Sequence, residues 1–254
     1  MFSTAIVRRP ARSMARGITS NPALGAPDHA KALVQHEAYE AALRKCGLAV
    51  TVLPALEDYP DSCFVEDVAV CASSFAMVTA PGAASRAGET AGIEELLRRH
   101  FKEVERVAAP GTLEGGDVMR VGDTFYIGLS ARTNREGARQ LVAALERRGM
   151  AGKIVAMSEF LHLKTGIVYL EDGVFLAAGE FLRSPEFQGF RRIEIDSEEA
   201  YAANCIRVND HVLVPAGFPR TAAAVRGAGF SVIEVDTSEY RKLDGGLSCL
   251  SLRF

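Results

Sequence analysis

The five cysteines of this sequence (Cys46, Cys63, Cys71, Cys205, Cys249) are odd in number, scattered, and free of any C-x-x-C pair. That distribution suits neither a disulfide framework nor a zinc knuckle, so at most one or two of the thiols are expected to do chemistry. The chain also lacks any apolar stretch near the roughly 18 residues of a membrane span. Arg8 and Arg9 fall where a signal peptide would need its apolar core, so a cytoplasmic protein with no membrane partner is expected. Nor is there an excess of one charge. The 29 Lys+Arg against 32 Asp+Glu leave a net −3, which gives no whole-molecule attraction to nucleic acid. What is present is ordinary globular material, 48% hydrophobic and 24% charged. A small molecule is the default partner.

Length alone allows one large or two small domains. A repeat decides for a single domain over 1–254. Asp28 to Cys46 reads as a helix, with Val34, Ala38, Ala42 and Cys46 recurring every four residues and Gly47 at the stop, followed by a strand at Leu48–Leu53. The phrase returns at Thr133 to Gly149, opened by a capping-box pattern of Thr133 and Glu136 and followed by Ile154–Met157. Weaker copies run from Glu89 to His100 into Val104–Val107, and from Thr221 to Gly229 into Val232–Val235. Between them lie paired apolar runs resembling hairpins: Val118–Val121 with Phe125–Ile127, Ile167–Leu170 with Phe175–Ala178, Ile206–Val208 with Val212–Val214. The unit is strand, turn, strand, helix, strand. The polar residues that open the hairpins are Asp67, Glu114, His162, Asn204 and Cys249, separated by 47, 48, 42 and 45 residues. A near-constant period of this size belongs to repeat architectures in which no unit buries its apolar face alone. Five α/β units of ββαβ type, the last completed by the strand around Ile6, would close into a pseudo-fivefold propeller and bring the five opening residues to its axis.

Those residues are two carboxylates, a histidine, an amide and a thiol. Taken singly, each has a plain structural reading: Cys249 as a small buried hydrophobe, His162 as a core histidine between Leu161 and Leu163, the Glu-Gly-Gly-Asp and Glu-Asp segments as turns. Together they form a catalytic set. A thiol becomes a nucleophile beside a base, and acceptor-only carboxylates on two sides match the fixed N–H fork of a planar guanidinium.

Three segments carry a family resemblance: Glu114-Gly-Gly-Asp117, Leu161-His162-Leu163-Lys164-Thr165-Gly166, and Asp244-Gly-Gly-Leu-Ser-Cys249. They resemble the guanidino-group-modifying enzymes, whose fold is a five-bladed α/β propeller. With Phe64-Val-Glu-Asp67, Ser130-Ala-Arg-Thr-Asn134 and Glu239-Tyr-Arg-Lys-Leu-Asp244, the resemblance extends over essentially the whole chain to the bacterial dimethylarginine dimethylaminohydrolases. It implies hydrolysis of Nω-methylated arginines to citrulline through a covalent thiouronium, without metal or cofactor. It makes Cys249 the nucleophile, His162 the acid/base, and Asp67 and Glu114 the guanidinium acceptors. Arg86 and Arg132 would hold the substrate carboxylate; Asp61 and the backbone of Ile18 would receive the α-amino group; Glu66 and the backbone of Leu243 would complete the pocket. The Arg16–Ser20 segment would be a lid, and a homodimer is the family-level expectation. Gly115 departs from the family pattern, in which bacterial members carry a bulkier residue, and this bears on the alkyl group accepted. Arginine deiminase-like or citrulline ureido hydrolysis would use the same residues. A non-catalytic propeller of the ribosome anti-association type would not retain them.

Overall fold

The computed structural model describes residues 1–72 and 75–254. The described residues form five three-stranded sheets, each built the same way, in a pseudo-fivefold propeller-like arrangement. In the blade made by residues near the two chain ends, β1 (Thr4–Arg8) is the middle strand and pairs in parallel with β2 (Ala49–Leu53). The next blades are β3 (Ala69–Cys71), β4 (Phe75–Val78), β5 (Glu103–Arg106), and then β6 (Val118–Val121), β7 (Thr124–Leu129), β8 (Ala151–Ala156). They are followed by β9 (Ile167–Glu171), β10 (Val174–Ala177), β11 (Arg191–Glu194), and by β12 (Ile206–Val208), β13 (His211–Pro215), β14 (Ser231–Val235). Finally β15 (Leu252–Arg253) pairs antiparallel with β1 and closes the ring. In every blade the first strand runs antiparallel to the middle one and the third parallel to it. A parallel neighbour needs a crossover, which is why a helical segment sits between the second and third strands of a blade. The middle strands β4 and β10 are buried along their whole length, as expected of apolar runs covered on both faces.

The five opening residues share a local device that the hairpin reading did not contain. Each lies in or beside a short helical turn feeding the first strand of its blade: Val65–Val68, Gly115–Asp117, Leu163–Gly166, Ala200–Ala203 and Ser248–Leu250. A single turn reverses the chain at the axis and aims the side chain inward before the strand begins.

Four expectations need correction. The helix found at His29–Lys45 does not bury a Val34–Ala38 stripe, since Val34 is 66% exposed; its inner face is Ala32, Gln35, His36, Tyr39, Ala42 and Leu43. Gln35 and Tyr39 are tolerated there because they are bonded: Gln35 Nε2 donates to Ser238 Oγ at 2.8 Å, and Tyr39 OH to the Leu247 carbonyl at 2.9 Å. The helix at Arg135–Glu146 is capped by Asn134, whose side chain accepts from Gly137 N at 2.8 Å, and not by Thr133, which turns inward to accept from Glu114 N. The third unit has no α-helical crossover. Its connection is two 3₁₀ turns, Gly179–Leu182 and Pro185–Phe187, because Pro185 and Gly189 break a helix and Phe181 and Phe187 fill the core from turns instead. The weaker helix at Glu89–His100 shrinks to Ile93–Arg98, preceded by a 3₁₀ segment, Ala84–Thr90. No helix among the described residues is long and apolar enough to cross a membrane.

Candidate active site

Four of the five opening residues line one pocket: Asp67, Glu114, His162 and Cys249. The fifth, Asn204, stands behind the sulfur, its Nδ2 3.8 Å from Cys249 Sγ and its Oδ1 accepting from Ser248 N at 2.9 Å.

His162 precedes its one-turn helix, and Asp117 fixes the turn by accepting from Leu163 N at 3.0 Å and from Ser130 Oγ at 2.6 Å. The ring then meets Glu114: Nε2 lies 2.7 Å from Oε2, while Glu114 Oε1 accepts from Gly82 N at 3.0 Å. Gly116 makes this contact possible, because a Cβ there would stand 2.9 Å from both the His162 ring and Asp67 Oδ1. Burial opposes a charge on His162, but Asp67, Asp117 and Glu114 outweigh it and hold the imidazole up at about 9. At neutral pH it is an imidazolium. For Asp67, too, burial works against the charge, and His162 and Arg86 override it, holding the carboxyl below its ordinary range.

Cys249, 4% exposed, is pushed up to about 11, first by burial and then by the facing charges of Asp67 and Glu66. The thiol is therefore protonated at neutral pH even though an imidazolium lines the same pocket. This is unlike the preformed thiolate–imidazolium pair of other cysteine enzymes.

The two arginines differ. Arg86 is buried and committed: Nη1 donates to Asp67 Oδ2 at 2.7 Å, Nε and Nη2 hold Glu89, Nη2 reaches the Phe64 carbonyl at 3.1 Å, and Glu114 Oε2 is 3.8 Å from Nη1. It stands among the acids and not apart from them. Arg132 is half-buried on the pocket wall, with no ion pair among the described residues. Asp61 accepts from Ile18 N at 3.0 Å, and Ser20 Oγ donates to Asp244 Oδ1 at 2.9 Å, so the Arg16–Ser20 segment is latched over the pocket at two points. Ile18 and Leu243 form its roof. The open volume beneath is about 30 Å³, room for one or two waters.

Glu66 is brought close but does not line the pocket; its Oε1 accepts from Lys164 at 2.6 Å and Arg253 at 3.1 Å. Gly115 is also outside the lining. A Cβ there would meet the Glu66 carbonyl at 2.0 Å, so backbone packing and not ligand size sets that glycine. The residues that sequence reasoning gave no role are Glu89, which clamps Arg86, Asp117 and Lys164, which sit inside quoted motifs, and Arg253. The carboxylates of Asp67 and Glu114 with His162 are close enough to hold a metal ion. The short Glu114–His162 bond and the Asp67–Arg86 pair already satisfy them.

A family description for eukaryotic N,N dimethylarginine dimethylhydrolase matches residues 26–182. An N(G),N(G)-dimethylarginine dimethylaminohydrolase of Pseudomonas aeruginosa is 58% identical over 255 residues, covering 100% of both chains. Among solved structures, the Pseudomonas aeruginosa enzyme as a C249S mutant complexed with citrulline superposes with a TM-score of 0.98 at 58% identity, covering 100% of both chains. A dimethylarginine dimethylaminohydrolase H162G adduct with S-methyl-L-thiocitrulline gives the same score, identity and coverage.

Proposed function

Since the chain belongs to the dimethylarginine dimethylaminohydrolase family, we propose that it hydrolyses Nω-methylated L-arginines to L-citrulline and the methylated amine, with Cys249 as nucleophile and His162 as acid and base. The observation that carries this reading is the single pocket lined by a protonated thiol, an imidazolium and two buried carboxylates. Its parts suit a cation. The guanidinium N–H groups donate to Asp67 and Glu114, and the positive charge arriving beside the sulfur favours loss of the thiol proton to solvent, since His162 already carries one. Sγ then bonds to the central guanidinium carbon, and the bond from that carbon to the methylated nitrogen breaks as His162 gives its proton to the departing amine. A thiouronium remains on Cys249. The neutral imidazole takes a proton from water, hydroxide adds to the same carbon, and the carbon–sulfur bond breaks as the added hydroxyl passes its proton to the departing sulfur, which restores the thiol and the imidazolium and leaves the ureido group of citrulline. One hard displacement becomes two easier ones. The relatives' structures, one complexed with citrulline and one an adduct with S-methyl-L-thiocitrulline, are of the product and intermediate type that this sequence of steps requires.

The test is parallel incubation with arginine, monomethylarginine, dimethylarginine and citrulline, scoring citrulline, ornithine and released amine. Citrulline and dimethylamine from dimethylarginine support the reading. Ammonia from arginine as the main reaction would move the activity to deimination, and ornithine from citrulline to ureido hydrolysis.

Substrate-gated ionisation of the thiol has its own measurement. Alkylation of Cys249 by a small neutral reagent follows the thiolate, so its midpoint should lie near 11 with the pocket empty and fall when a small amidinium that leaves the sulfur accessible is bound. A midpoint well below 7 in the empty protein would establish a preformed ion pair instead.

At the other end of the substrate, Arg132 is the cation free to take the carboxylate, since Arg86 is held by Asp67 and Glu89. A charge-assisted hydrogen bond contributes on the order of 1.5–3 kcal/mol, so Arg132→Ala should raise KM roughly ten- to hundredfold with little change in kcat. Methylated agmatine, which lacks the carboxylate, should show the same penalty on the unaltered protein and no further loss on the variant. Equal use of both compounds by the unaltered protein would remove Arg132 from this role.

A further inference from the structure

We propose that the cleft between the ends of β1 and β2 and the helix Ile93–Arg98 is a second binding site, remote in chemistry from the axis, for a small organic carboxylate seated on Arg8. Buried charges are ordinarily matched by an opposite charge, because leaving water costs too much otherwise. The other buried arginine, Arg86, obeys this with Asp67 and Glu89. Arg8 does not. It is 5% exposed, yet its one hydrogen bond is from Nη1 to the Pro54 carbonyl at 3.1 Å, and it has no ion-pair partner among the described residues. A guanidinium has five N–H donors, so most of those of Arg8 are left for something else.

The place where they are left is a cleft of about 270 Å³, lined by Arg8 and by Leu53, Pro54, Ile93 and Leu96. Arg99 stands at its rim, paired with the exposed Glu95 at 3.1 Å, so the rim adds little net charge and the floor adds one cation. Burial depresses the Arg8 pKa, with Glu89 and Cys63 acting the other way, which is the position of a cation short of a partner. An anionic head with a short apolar body satisfies both the guanidinium and the aliphatic walls. Inorganic phosphate would satisfy only the first and a neutral hydrocarbon only the second. The volume sets the size, just below the several hundred cubic ångströms usual for drug-sized ligands.

Hexanoate and its neutral isostere hexanamide are the probes, titrated by calorimetry into the full chain. Hexanoate should bind at one site at least tenfold more tightly than hexanamide, as expected for one charge-assisted contact. Leu96→Trp fills the cleft from a half-buried position without touching the axis and should abolish that binding, and Arg8→Met should weaken it at least tenfold. Absence of hexanoate binding up to about 100 mM, equal affinity for the two probes, or unchanged binding in Leu96→Trp would each overturn the proposal. The comparison of the two probes on the unaltered chain stands even if Arg8→Met does not fold.

Discussion

Cys249→Ser should lower kcat on dimethylarginine by at least about 10⁴-fold while leaving citrulline bound within a few-fold of the unaltered affinity. The hydroxyl is nearly isosteric and sits where burial already presses the thiol up to about 11, so serine will not ionise there at any accessible pH. Where a nucleophile has been removed alone from another hydrolase, the cost in kcat was on the order of 10⁶. The binding contacts proposed for Asp67, Glu114 and Arg132 do not involve the sulfur, which is why affinity should survive. A variant retaining a tenth of the activity would exclude a thiouronium on Cys249.

Glu114→Gln should reduce kcat by roughly 10²-fold or more, the scale of a positioned acid or base, and should also move its pH dependence. The carboxylate accepts on both oxygens, from Gly82 N and from His162 Nε2. A carboxamide reverses one of those contacts. Of the forces on His162, burial lowers its pKa while Asp67, Asp117 and Glu114 raise it, so loss of one of the three carboxylates lets burial gain ground. Activity that needs the imidazolium declines as pH rises through about 9 in the unaltered protein, and in the variant that limb should move toward neutrality. The same shift carries a stability signature. A histidine whose folded pKa is raised contributes stability in full below its unfolded value of about 6.5, and the contribution is lost as pH rises through the folded value, so the variant should lose stability chiefly on the acid side of 9. An alkaline limb that stays near 9 in Glu114→Gln would assign the elevated imidazole to Asp67 and Asp117 alone.

The architecture was legible because it is repetitive. Period and polarity placed Asp67, Glu114, His162, Asn204 and Cys249 in equivalent positions, and the structure brings all five together at the pocket or directly behind it. Local chemistry was less legible. The inner face of the first long helix contains Gln35, whose burial depends on Ser238 and Glu239 some 200 residues away, and His36, which pairs with Glu40 one turn on, so no apolar stripe is left to read. Glu89 is similar. In the sequence it opens the weaker helical copy that runs to His100, and its role as a clamp on Arg86 exists only once a 3₁₀ segment folds it inward. The missing helix of the third unit was readable after the fact from Pro185 and Gly189, but a rule of repetition outweighed them.

The latch over the pocket has a thermodynamic consequence for how dilute a substrate the protein can use. With room for one or two waters under Ile18 and Leu243, a methylated arginine enters only when the contacts of Ile18 with Asp61 and Ser20 with Asp244 have let go. Apparent affinity is then the intrinsic affinity scaled by the fraction of time the roof is open, so an opening present about 1% of the time weakens it about a hundredfold. Loosening the latch would tighten apparent binding and at the same time expose the sulfur to solvent-borne oxidants. Sensitivity to scarce substrate and durability of the thiol are thus set against each other by three hydrogen bonds that take no part in the chemistry.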